Sequence, residues 1–364
     1  ASKLSTTLFF ANFMFHIYKA SYFSTQHQQV SKAADLLKNL SKALHLWQTS
    51  TFTSPQLQQI HQQLNHNKSL SQRITQLSNI IGKWDYRLNM IVYFLLATFT
   101  VWDVLMLHRV RKWQQQNQAL ISQAVALIAQ CEALTSLAFT KINHPQWVQP
   151  DVNEAHTFQT TNAAHPLMPE AQRVSNSFSF ASEAQLAFIS GSNMSGKSTF
   201  LRTLGTNTVL ALAGAVVCAE SFSLKPWKLF SIMRIHDSLE ENTSTFYFEI
   251  KRIRQLLQHI DTNPNTFYLL DELLRGTNSV DKKQGTRALI KHLMQHPACG
   301  LVASHDLELA AIEHEHPSQF TNYHFDVRIE QEEMYFDYRL NPGVCSVFNA
   351  SLLLKKIGLN TQDH

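Results

Sequence analysis

The chain has few cysteines, and none is placed for the metal or disulfide chemistry that cysteine often serves in small domains. Cys131, Cys218, Cys299 and Cys345 are the four in 364 residues, and no two of them form a C-x-x-C pair. This spacing excludes a disulfide framework and a zinc knuckle. We therefore expect four buried thiols in a reducing compartment, and with it a cytoplasmic location.

Two other signals are also missing. The 18 histidines are scattered and form no H-E-x-x-H metal motif. No secretory signal is visible at the start, and because the sequence begins at Ala1 we expect an upstream segment to be missing.

An apolar stretch long enough to cross a membrane is not found either. Leu88 to Trp102 is an uncharged run of 15 residues that Asp103 ends, with Arg87 and Arg109 on its flanks. A membrane helix needs about 20 mostly apolar residues, so this run falls short. We expect a buried core helix here and keep a membrane contact as the alternative.

Charge is distributed unevenly along the chain, although the net charge is only +4. Residues 1–150 hold 13 Lys+Arg and 4 Asp+Glu, whereas the remaining residues hold 18 and 23. A basic first half suggests an anionic partner, either nucleic acid or a membrane surface. The alternative is a solvated helical surface without a partner, because the positive charges are spread out.

The pattern of apolar residues divides the chain into two domains. Residues 1–150 show helical spacing in polar, Gln-rich sequence, with Ser54-Pro55 marking a helix start, which suits levers or a helical bundle. Asn143-His144-Pro145 and Gln149-Pro150 interrupt this pattern. Strands then alternate with helices. We predict an all-α core or lever domain over residues 1–150 and an α/β domain over residues 151–364.

A phosphate-binding motif lies early in the second domain. Gly191–Ser198 fits G-x-x-x-x-G-K-[ST] without a mismatch. The apolar run Leu186–Ile189 before it is typical of a buried parallel strand, and Phe200–Ala213 after it is typical of a helix. Strand, loop and helix in this order are the context that the motif requires.

The residue types explain how such a loop would hold a polyphosphate. Glycines let backbone N–H groups face the phosphates, and the following helix adds its positive N-terminus. Lys197 is expected to reach the β- and γ-phosphates of ATP, and the Ser198 hydroxyl to ligate Mg²⁺. The predicted nucleotide contacts are Gly191, Ser192, Asn193, Met194, Ser195, Gly196, Lys197, Ser198 and Thr199.

Two further strands end in polar residues. The apolar run that begins at Thr266 ends in Asp271 and Glu272. In phosphate-loop NTPases a strand-end Asp holds the Mg²⁺ shell, and a following Glu is placed to polarise the attacking water. Another buried run ends in Ser304-His305, and we expect His305 to sense the γ-phosphate or orient water.

A hydroxyl-rich segment, Thr243-Ser244-Thr245, precedes a helix whose predicted apolar face includes Phe246 and Ile250. These hydroxyls cap the helix, or they aim its N-terminus at a phosphate bound by a second subunit.

Together these residues resemble the ATPase domain of the MutS family of DNA mismatch-repair proteins. The resemblance covers about residues 160–358. It rests on Asn193-Met194, Ser244-Thr245-Phe246 with Glu249, Asp271-Glu272, Arg275-Gly276-Thr277 and Ser304-His305. Two further segments support it: His165-Pro166 and Leu340–Val344, the second of which leads to a helix near Ala350–Ile357.

The resemblance implies a P-loop NTPase domain of the ABC type that hydrolyses ATP with Mg²⁺. It implies a homodimer formed through the ATPase domains, in which Ser244 of one subunit touches the γ-phosphate bound by the other. The implied catalytic residues are Lys197, Ser244, Glu272 and His305, and the implied metal ligands are Ser198 and Asp271. The helical domain would transmit the nucleotide state to DNA.

This sequence departs from the family pattern in three ways. Ser192 and Ser195 stand where the family usually has Pro and commonly Gly, and neither change removes a phosphate ligand. The chain has no room for the mismatch-reading and connector domains, so it resembles the small MutS-like proteins.

An ABC transporter is disfavoured because Leu-Ser-Gly-Gly-Gln is absent, and a kinase because Asp271-Glu272 favours water as acceptor. The remaining alternative is a membrane-associated or scaffold module with ATP-driven dimerisation and no DNA role.

Overall fold

The chain divides into two compact units, Ala1–Ser136 and Leu137–His364. In this computed structural model the described residues are 2–66, 70–154, 158–180, 185–233, 245–330 and 333–345. The domain boundary that the sequence suggests after residue 150 stays a prediction.

The first unit is helical, as its sequence pattern predicts. Its helices are α1 (Ser2–Thr49), α2 (Pro55–His66), α3 (Leu70–Trp84), α4 (Met90–Phe99) and α5 (Trp102–Asn143), the last of which continues past Ser136. The predicted start at Ser54-Pro55 is confirmed because α2 begins at Pro55. The break predicted near residue 143 is confirmed by the end of α5.

Two apolar clusters hold these helices together. One joins α1, α2, α3 and α5 around Leu44, Leu64, Ile74 and Ile128. The other contains larger side chains, among them Trp84, Met106 and Trp113. Helical spacing puts such residues on one stripe of each helix, and packing of the stripes stabilises helices that would be marginal alone.

A buried carboxylate fixes the turn between α3, α4 and α5. Asp103 is fully buried and accepts hydrogen bonds from Trp84 Nε1 at 2.8 Å and from the Tyr93 hydroxyl at 2.5 Å. Arg87 Nη1 lies 3.8 Å from Asp103 Oδ1. A buried charge is tolerated only when paired and hydrogen-bonded, so these contacts define one arrangement of the three elements.

The prediction of a buried core helix from Leu88 to Trp102 is wrong. The run is split at Thr100-Val101, and within α4 only Ala97 and Thr98 are buried. Met90 and Ile91 expose 86% and 77% of their surface. The reason is that polar contacts occupy the inner side of this turn, so the apolar side chains of α4 are left outside.

The second unit is an α/β structure, as predicted. Its strands are β1 (Asp151–Val152), β2 (Gln159–Ala163), β3 (Asn176–Ser179), β4 (Leu186–Ser190), β5 (Ser221–Leu224), β6 (Lys228–Ile232), β7 (Thr266–Asp271), β8 (Cys299–Ala303), β9 (Phe320–Glu330) and β10 (Glu333–Pro342). Its helices are α6 (Lys197–Leu212), α7 (Thr245–Thr262), α8 (Ser279–Leu293) and the short α9 (Ile312–Glu315).

These strands form two sheets. A four-stranded sheet has the order β1-β5-β2-β3, and a six-stranded sheet has the order β10-β9-β4-β8-β7-β6. In the larger sheet the strand pairs are parallel except for β9 and β10. Its carboxyl-terminal edge therefore gathers the ends of β4, β7 and β8, where ligands bind in open α/β sheets.

The large sheet is buried on both faces. Successive residues of β4 and β7 alternate between two cores: Ile189 and Leu269 belong to one, and Phe188 and Leu270 to the other. This two-residue alternation follows from the geometry of a strand. It explains why these strands read as continuous apolar runs in the sequence.

One detail of α7 differs from its predicted face. Ile250 is 41% exposed, whereas Leu256 is fully buried and packs with Ile260. The helix predicted near Ala350–Ile357 lies outside the described residues.

Candidate phosphate-binding and catalytic site

The predicted site residues meet at the carboxyl-terminal edge of the large sheet. Ile189 of β4 pairs with Ala303 of β8, which in turn pairs with Asp271 of β7. The Gly191–Thr199 segment (the 191–199 loop) follows β4, Glu272 follows β7, and Ser304-His305 follows β8. Three chain segments that are far apart in sequence are thus brought to one place by strand register.

The 191–199 loop has the backbone that its glycines allow. Gly196 has a φ of 109° and caps the N-terminus of α6, which begins at Lys197. A side chain at residue 196 would be strained there, and its Cβ would lie 3.1 Å from Cδ1 of Tyr338. The start of α6 offers unpaired backbone N–H groups and a positive dipole end to an anion.

Lys197 points inward along this loop. It is 4% exposed, and its Nζ donates hydrogen bonds to the carbonyl oxygens of Gly191 and Ser192, both at 2.8 Å. Burial lowers the pKa of Lys197, and the carboxylates of Glu272 and Asp271 limit that shift. A desolvated ammonium group that is hydrogen-bonded to two carbonyl oxygens is well suited to bind a phosphate oxygen.

Asp271 is the candidate ligand of a cation. Its side chain is 3% exposed, and neither carboxylate oxygen has a hydrogen-bond partner among the described residues. A buried carboxylate without partners is costly unless a cation or ordered water satisfies it. Asp271 and Ser198 therefore fit Mg²⁺, which binds through one or two protein oxygens, substrate phosphates and water.

Glu272 lies close to two basic side chains and a histidine. Its Oε2 lies 2.6 Å from Arg275 Nη2, and its Oε1 lies 3.7 Å from Lys197 Nζ and 3.5 Å from His305 Nδ1. Burial alone would raise the pKa of Glu272, but Arg275, Lys197 and His305 together hold that pKa below its usual value. Glu272 is therefore an ionised acceptor.

The loop that carries Glu272 has an unusual backbone, and a second carboxylate supports it. Glu272 and Leu274 have φ values of 44° and 59°, in the left-handed region that is costly for such side chains. Glu249 of α7 accepts a hydrogen bond from the backbone N–H of Arg275 at 3.0 Å. Burial raises the pKa of Glu249, while the backbone N–H groups of Arg275 and Leu274 oppose the rise.

A cavity of about 730 Å³ lies over the loop. Of the nine predicted loop contacts, Asn193, Met194, Gly196, Lys197, Ser198 and Thr199 line it, together with Glu272 and Arg275. The volume is in the range of small-molecule sites. Gly191, Ser192 and Ser195 do not line the cavity, so their contribution is to the shape of the loop.

Several residues that line this cavity were not predicted from the sequence as site residues, among them Met168, Asn176, Phe325 and Tyr338. Tyr338 is 43% exposed and lies on the edge strand β10, far from the loop in sequence. No motif surrounds it, and only its left-handed backbone, with a φ of 54°, sets it apart. His165, which was noted in the sequence, also lines the cavity, and burial together with Arg202 and Arg173 lowers its pKa.

The other predicted residues are placed as follows. His305 reaches Glu272 but does not line the cavity. Ser244 lies outside the described residues, immediately before α7 begins at Thr245.

Comparison with known proteins finds that part of this chain is similar to MutS proteins. Residues 187–352 match MutS domain V. The DNA mismatch repair protein MutS of Chloroflexus aurantiacus is 30% identical over 227 residues, which are 60% of this chain and 23% of that protein. The endonuclease MutS2 of Thermus thermophilus is 33% identical over 149 residues, which are 41% of this chain and 20% of that protein.

The chain thus spans less than a quarter of the length of these curated relatives. The matched region nevertheless contains the 191–199 loop, Glu249, both strand-end carboxylates and His305. The match of residues 187–352 to MutS domain V and the similarity to these relatives support a MutS-family protein.

Proposed function

We propose that the second unit is a P-loop NTPase domain of the ABC type that binds and hydrolyses ATP with Mg²⁺. The observation that carries this proposal is the meeting of three groups at one sheet edge. Lys197 lies at the start of α6, the two carboxylate oxygens of Asp271 have no hydrogen-bond partner within the described part of the chain, and Glu272 is held ionised beside them. The match of residues 187–352 to MutS domain V supports the same function.

Binding begins with the loop and Lys197. The triphosphate would take the place of the carbonyls of Gly191 and Ser192 as the partner of the Lys197 ammonium group, while N–H groups at the start of α6 face the phosphates. Ser198 and Asp271 would hold Mg²⁺. The positive charge of the ion would neutralise the negative charge that develops on the β- and γ-phosphates.

Hydrolysis requires a base for the attacking water. Glu272 is the nearest candidate because it follows the Mg²⁺ ligand directly and its Oε1 is within 3.7 Å of Lys197. His305, 3.5 Å from the same oxygen, would orient the water or respond to the γ-phosphate.

We propose that two copies pair through these ATPase domains. Ser244, next to the start of α7, would approach the γ-phosphate held by the other copy, so that ATP closes the dimer and hydrolysis opens it. The support is the family resemblance of the Ser244-Thr245-Phe246 segment.

DNA is the proposed partner of the helical first unit. Its support is the excess of basic residues over residues 1–150 and the DNA repair role in the name of the Chloroflexus aurantiacus relative. A membrane-associated module is the second candidate, and the exposed apolar side chains of α4 favour it.

The test of the ATPase proposal separates binding from turnover. Glu272→Gln should bind ATP with Mg²⁺ as the wild type does but lose at least about a hundredfold in kcat. Lys197→Ala should lose binding itself. Equilibrium binding of a labelled ATP analogue and steady-state phosphate release measure the two effects. Normal turnover by Glu272→Gln would remove this residue as the base.

A further inference from the structure

The segment from Leu88 to Leu105 presents an apolar surface to solvent. Leu88, Met90, Ile91, Leu95 and Val101 are between 51% and 86% exposed, and Leu105 is 38% exposed. No charged residue occurs in α4. Exposed apolar side chains in one contiguous segment mark an interaction surface more often than a solvated one.

This surface belongs to an ordered part of the fold. The Asn89 side chain caps α4 by accepting from the backbone N–H groups of Ile91 and Val92. The Asn12 side chain of α1 donates to the carbonyl oxygens of Ala97 and Thr98 at 2.9 and 3.1 Å. Polar groups thus attach α4 to the bundle, and its apolar side chains remain outside.

The adjoining turn of α1 also exposes apolar side chains. The His16 ring lies 6.4 Å from the Tyr93 ring of α4, so this turn and α4 are neighbours. Met14, Ile17 and Tyr18 on that turn are 59%, 55% and 79% exposed. We call residues 88–105 and these three residues the apolar patch.

Most of the charges near the patch are positive. Lys19, Lys83, Arg109 and Lys112 are exposed and flank the patch along the chain. The carboxylates close to it in sequence are engaged, because Asp103 is fully buried and Asp85 is hydrogen-bonded to His27 at 2.7 Å. Apolar side chains bordered by cations complement an anionic lipid surface. The apolar side chains would lie at the boundary of the acyl chains, and the cations would contact the headgroups.

We propose that the apolar patch docks on an anionic membrane surface as an interfacial anchor. Nucleic acid fits less well, because protein–DNA interfaces are polar and positively charged rather than apolar. A second copy fits less well too, since an isologous contact would bring the flanking cations of both copies together.

The contact is interfacial because α4 is too short to span a bilayer. Its 10 residues extend about 15 Å, half the thickness of the hydrocarbon core. Among the helices that the structure describes, α5 alone is long and apolar enough to cross a membrane. Its Ala124, Leu127 and Ile128 pack instead in a core cluster with Leu44 and Leu64.

Vesicle flotation of the purified protein tests this inference. The protein should float with vesicles of mixed phosphatidylcholine and phosphatidylglycerol, more weakly at high salt, and little with phosphatidylcholine alone. The combined variant Met90→Ser, Ile91→Ser and Leu95→Ser should reduce binding about tenfold or more. Arg109→Glu with Lys112→Glu should reduce binding to the anionic vesicles alone.

The matched control removes the same kind of exposed apolar side chain elsewhere in the first unit. Leu36, Leu46 and Val125 are 72%, 66% and 52% exposed, and their combined change to Ser should leave vesicle binding intact. Circular dichroism verifies that each variant is folded. Wild-type protein that does not float with anionic vesicles, or a patch variant that floats as the wild type does, would overturn the proposal. So would loss of self-association in the patch variant without any vesicle binding.

Discussion

At the scale of single residues, the pairing of Glu272 with Arg275 decides how basic the proposed catalytic carboxylate is. Of the three side chains near its carboxylate, Arg275 is the closest, at 2.6 Å, and the Nε of Arg275 also donates to the Glu272 carbonyl oxygen. A carboxylate held this firmly is ionised but weakly basic. Its reactivity in turnover therefore depends on how far nucleotide binding draws Arg275 away.

Arg275→Ala should move the acid limb of the pH–rate profile to higher pH. Arg275 is the foremost of the charges that lower the pKa of Glu272, so its removal lets burial raise that pKa. Activity that requires the ionised carboxylate is then lost at a higher pH as the solution is acidified. The measurement is kcat between about pH 4 and pH 9.

Lys282→Ala is the control for this pH experiment. Lys282 also lowers the pKa of Glu272, but its influence is the smallest of the four side chains that do so. Its removal should shift the acid limb less than Arg275→Ala does. Coinciding profiles for the wild type and Arg275→Ala would mean that Glu272 does not control the acid limb.

Tyr338 should contribute to nucleotide affinity through its ring. It lines the cavity beside Gly196, where the base of a nucleotide with its phosphates on the 191–199 loop could stack. Stacking of a base on an aromatic ring is worth about 1–3 kcal/mol, so Tyr338→Ala should weaken ATP binding about tenfold. Tyr338→Phe should retain most of the affinity.

A nearby tyrosine on the same strand serves as the comparison. Tyr335 is 64% exposed and does not line the cavity, so Tyr335→Ala should bind ATP normally. Equal affinities for Tyr338→Ala and the wild type by calorimetry would exclude the ring as a base contact.

At the scale of elements, α7 and the 272–276 loop are joined by direct contacts. Glu249 holds the loop through its backbone N–H groups. Gly276 packs against the first turn of α7, since a Cβ there would lie 2.7 Å from Cβ and 3.0 Å from N of Phe246. Because Ser244 directly precedes α7, a displacement at the proposed dimer contact would be passed to Glu272.

Glu249→Ala should reduce kcat with little change in ATP affinity. The loss of the acceptor leaves the left-handed turn at Glu272 and Leu274 without its support, and misplacement of a catalytic group by about 1 Å can cost up to a hundredfold. Glu249→Gln keeps one acceptor oxygen and should recover part of the rate. Asp261→Ala, an exposed acid on the same helix, should change neither kcat nor affinity.

The split between kcat and affinity distinguishes positioning from general damage. Unfolding of α7 would lower the active fraction and leave the affinity of the remainder unchanged, so active-site titration is part of the measurement. A fall in ATP affinity equal to the fall in kcat would contradict a role in positioning Glu272.

The elements of the second unit were largely predictable because their signals are local. Buried parallel strands read as continuous apolar runs, and the 191–199 loop follows one of them at fixed spacing. The cavity was less predictable, because Tyr338 reaches it through the pairing of β10 with β9 and β9 with β4. Such pairing depends on long-range register, which a local pattern does not contain.

The exposure of α4 could not be predicted for a related reason. An apolar run predicts that a helix avoids water, but the partner that covers it is decided by the rest of the fold. Here Asp103 ends the run and hydrogen-bonds to Trp84 and Tyr93. The charged residue that interrupts the apolar run is therefore buried, and most apolar side chains of α4 are exposed.

At the scale of the whole molecule, the proposed switch needs the helical unit to respond to nucleotide without being needed for ATP binding. The residues of the candidate site all lie in the second unit, and Asp103 lies in the core of the first. A variant that loosens the first unit alone therefore separates the two roles. Asp103→Ala is that variant, because it leaves Arg87, the Trp84 N–H and the Tyr93 hydroxyl without their buried partner.

We expect Asp103→Ala to destabilise the first unit by about 3 kcal/mol, as the loss of one member of a buried, hydrogen-bonded charge pair does. Its control is Asp85→Ala, which removes a half-buried acid hydrogen-bonded to the buried His27 and should cost less, about 1–2 kcal/mol. Thermal unfolding measures both. ATP affinity should be equal in both variants and the wild type.

The same pair of variants tests whether DNA acts through the helical unit. If it does, duplex DNA changes the ATPase rate of the wild type and of Asp85→Ala, with a steep salt dependence, and this response is lost in Asp103→Ala. The rate without DNA should stay the same in all three, because the catalytic groups are elsewhere. An unchanged DNA response in a loosened helical unit would move the DNA contact to the second unit. No DNA response in the wild type would leave the ATPase assignment in place and remove DNA as its partner.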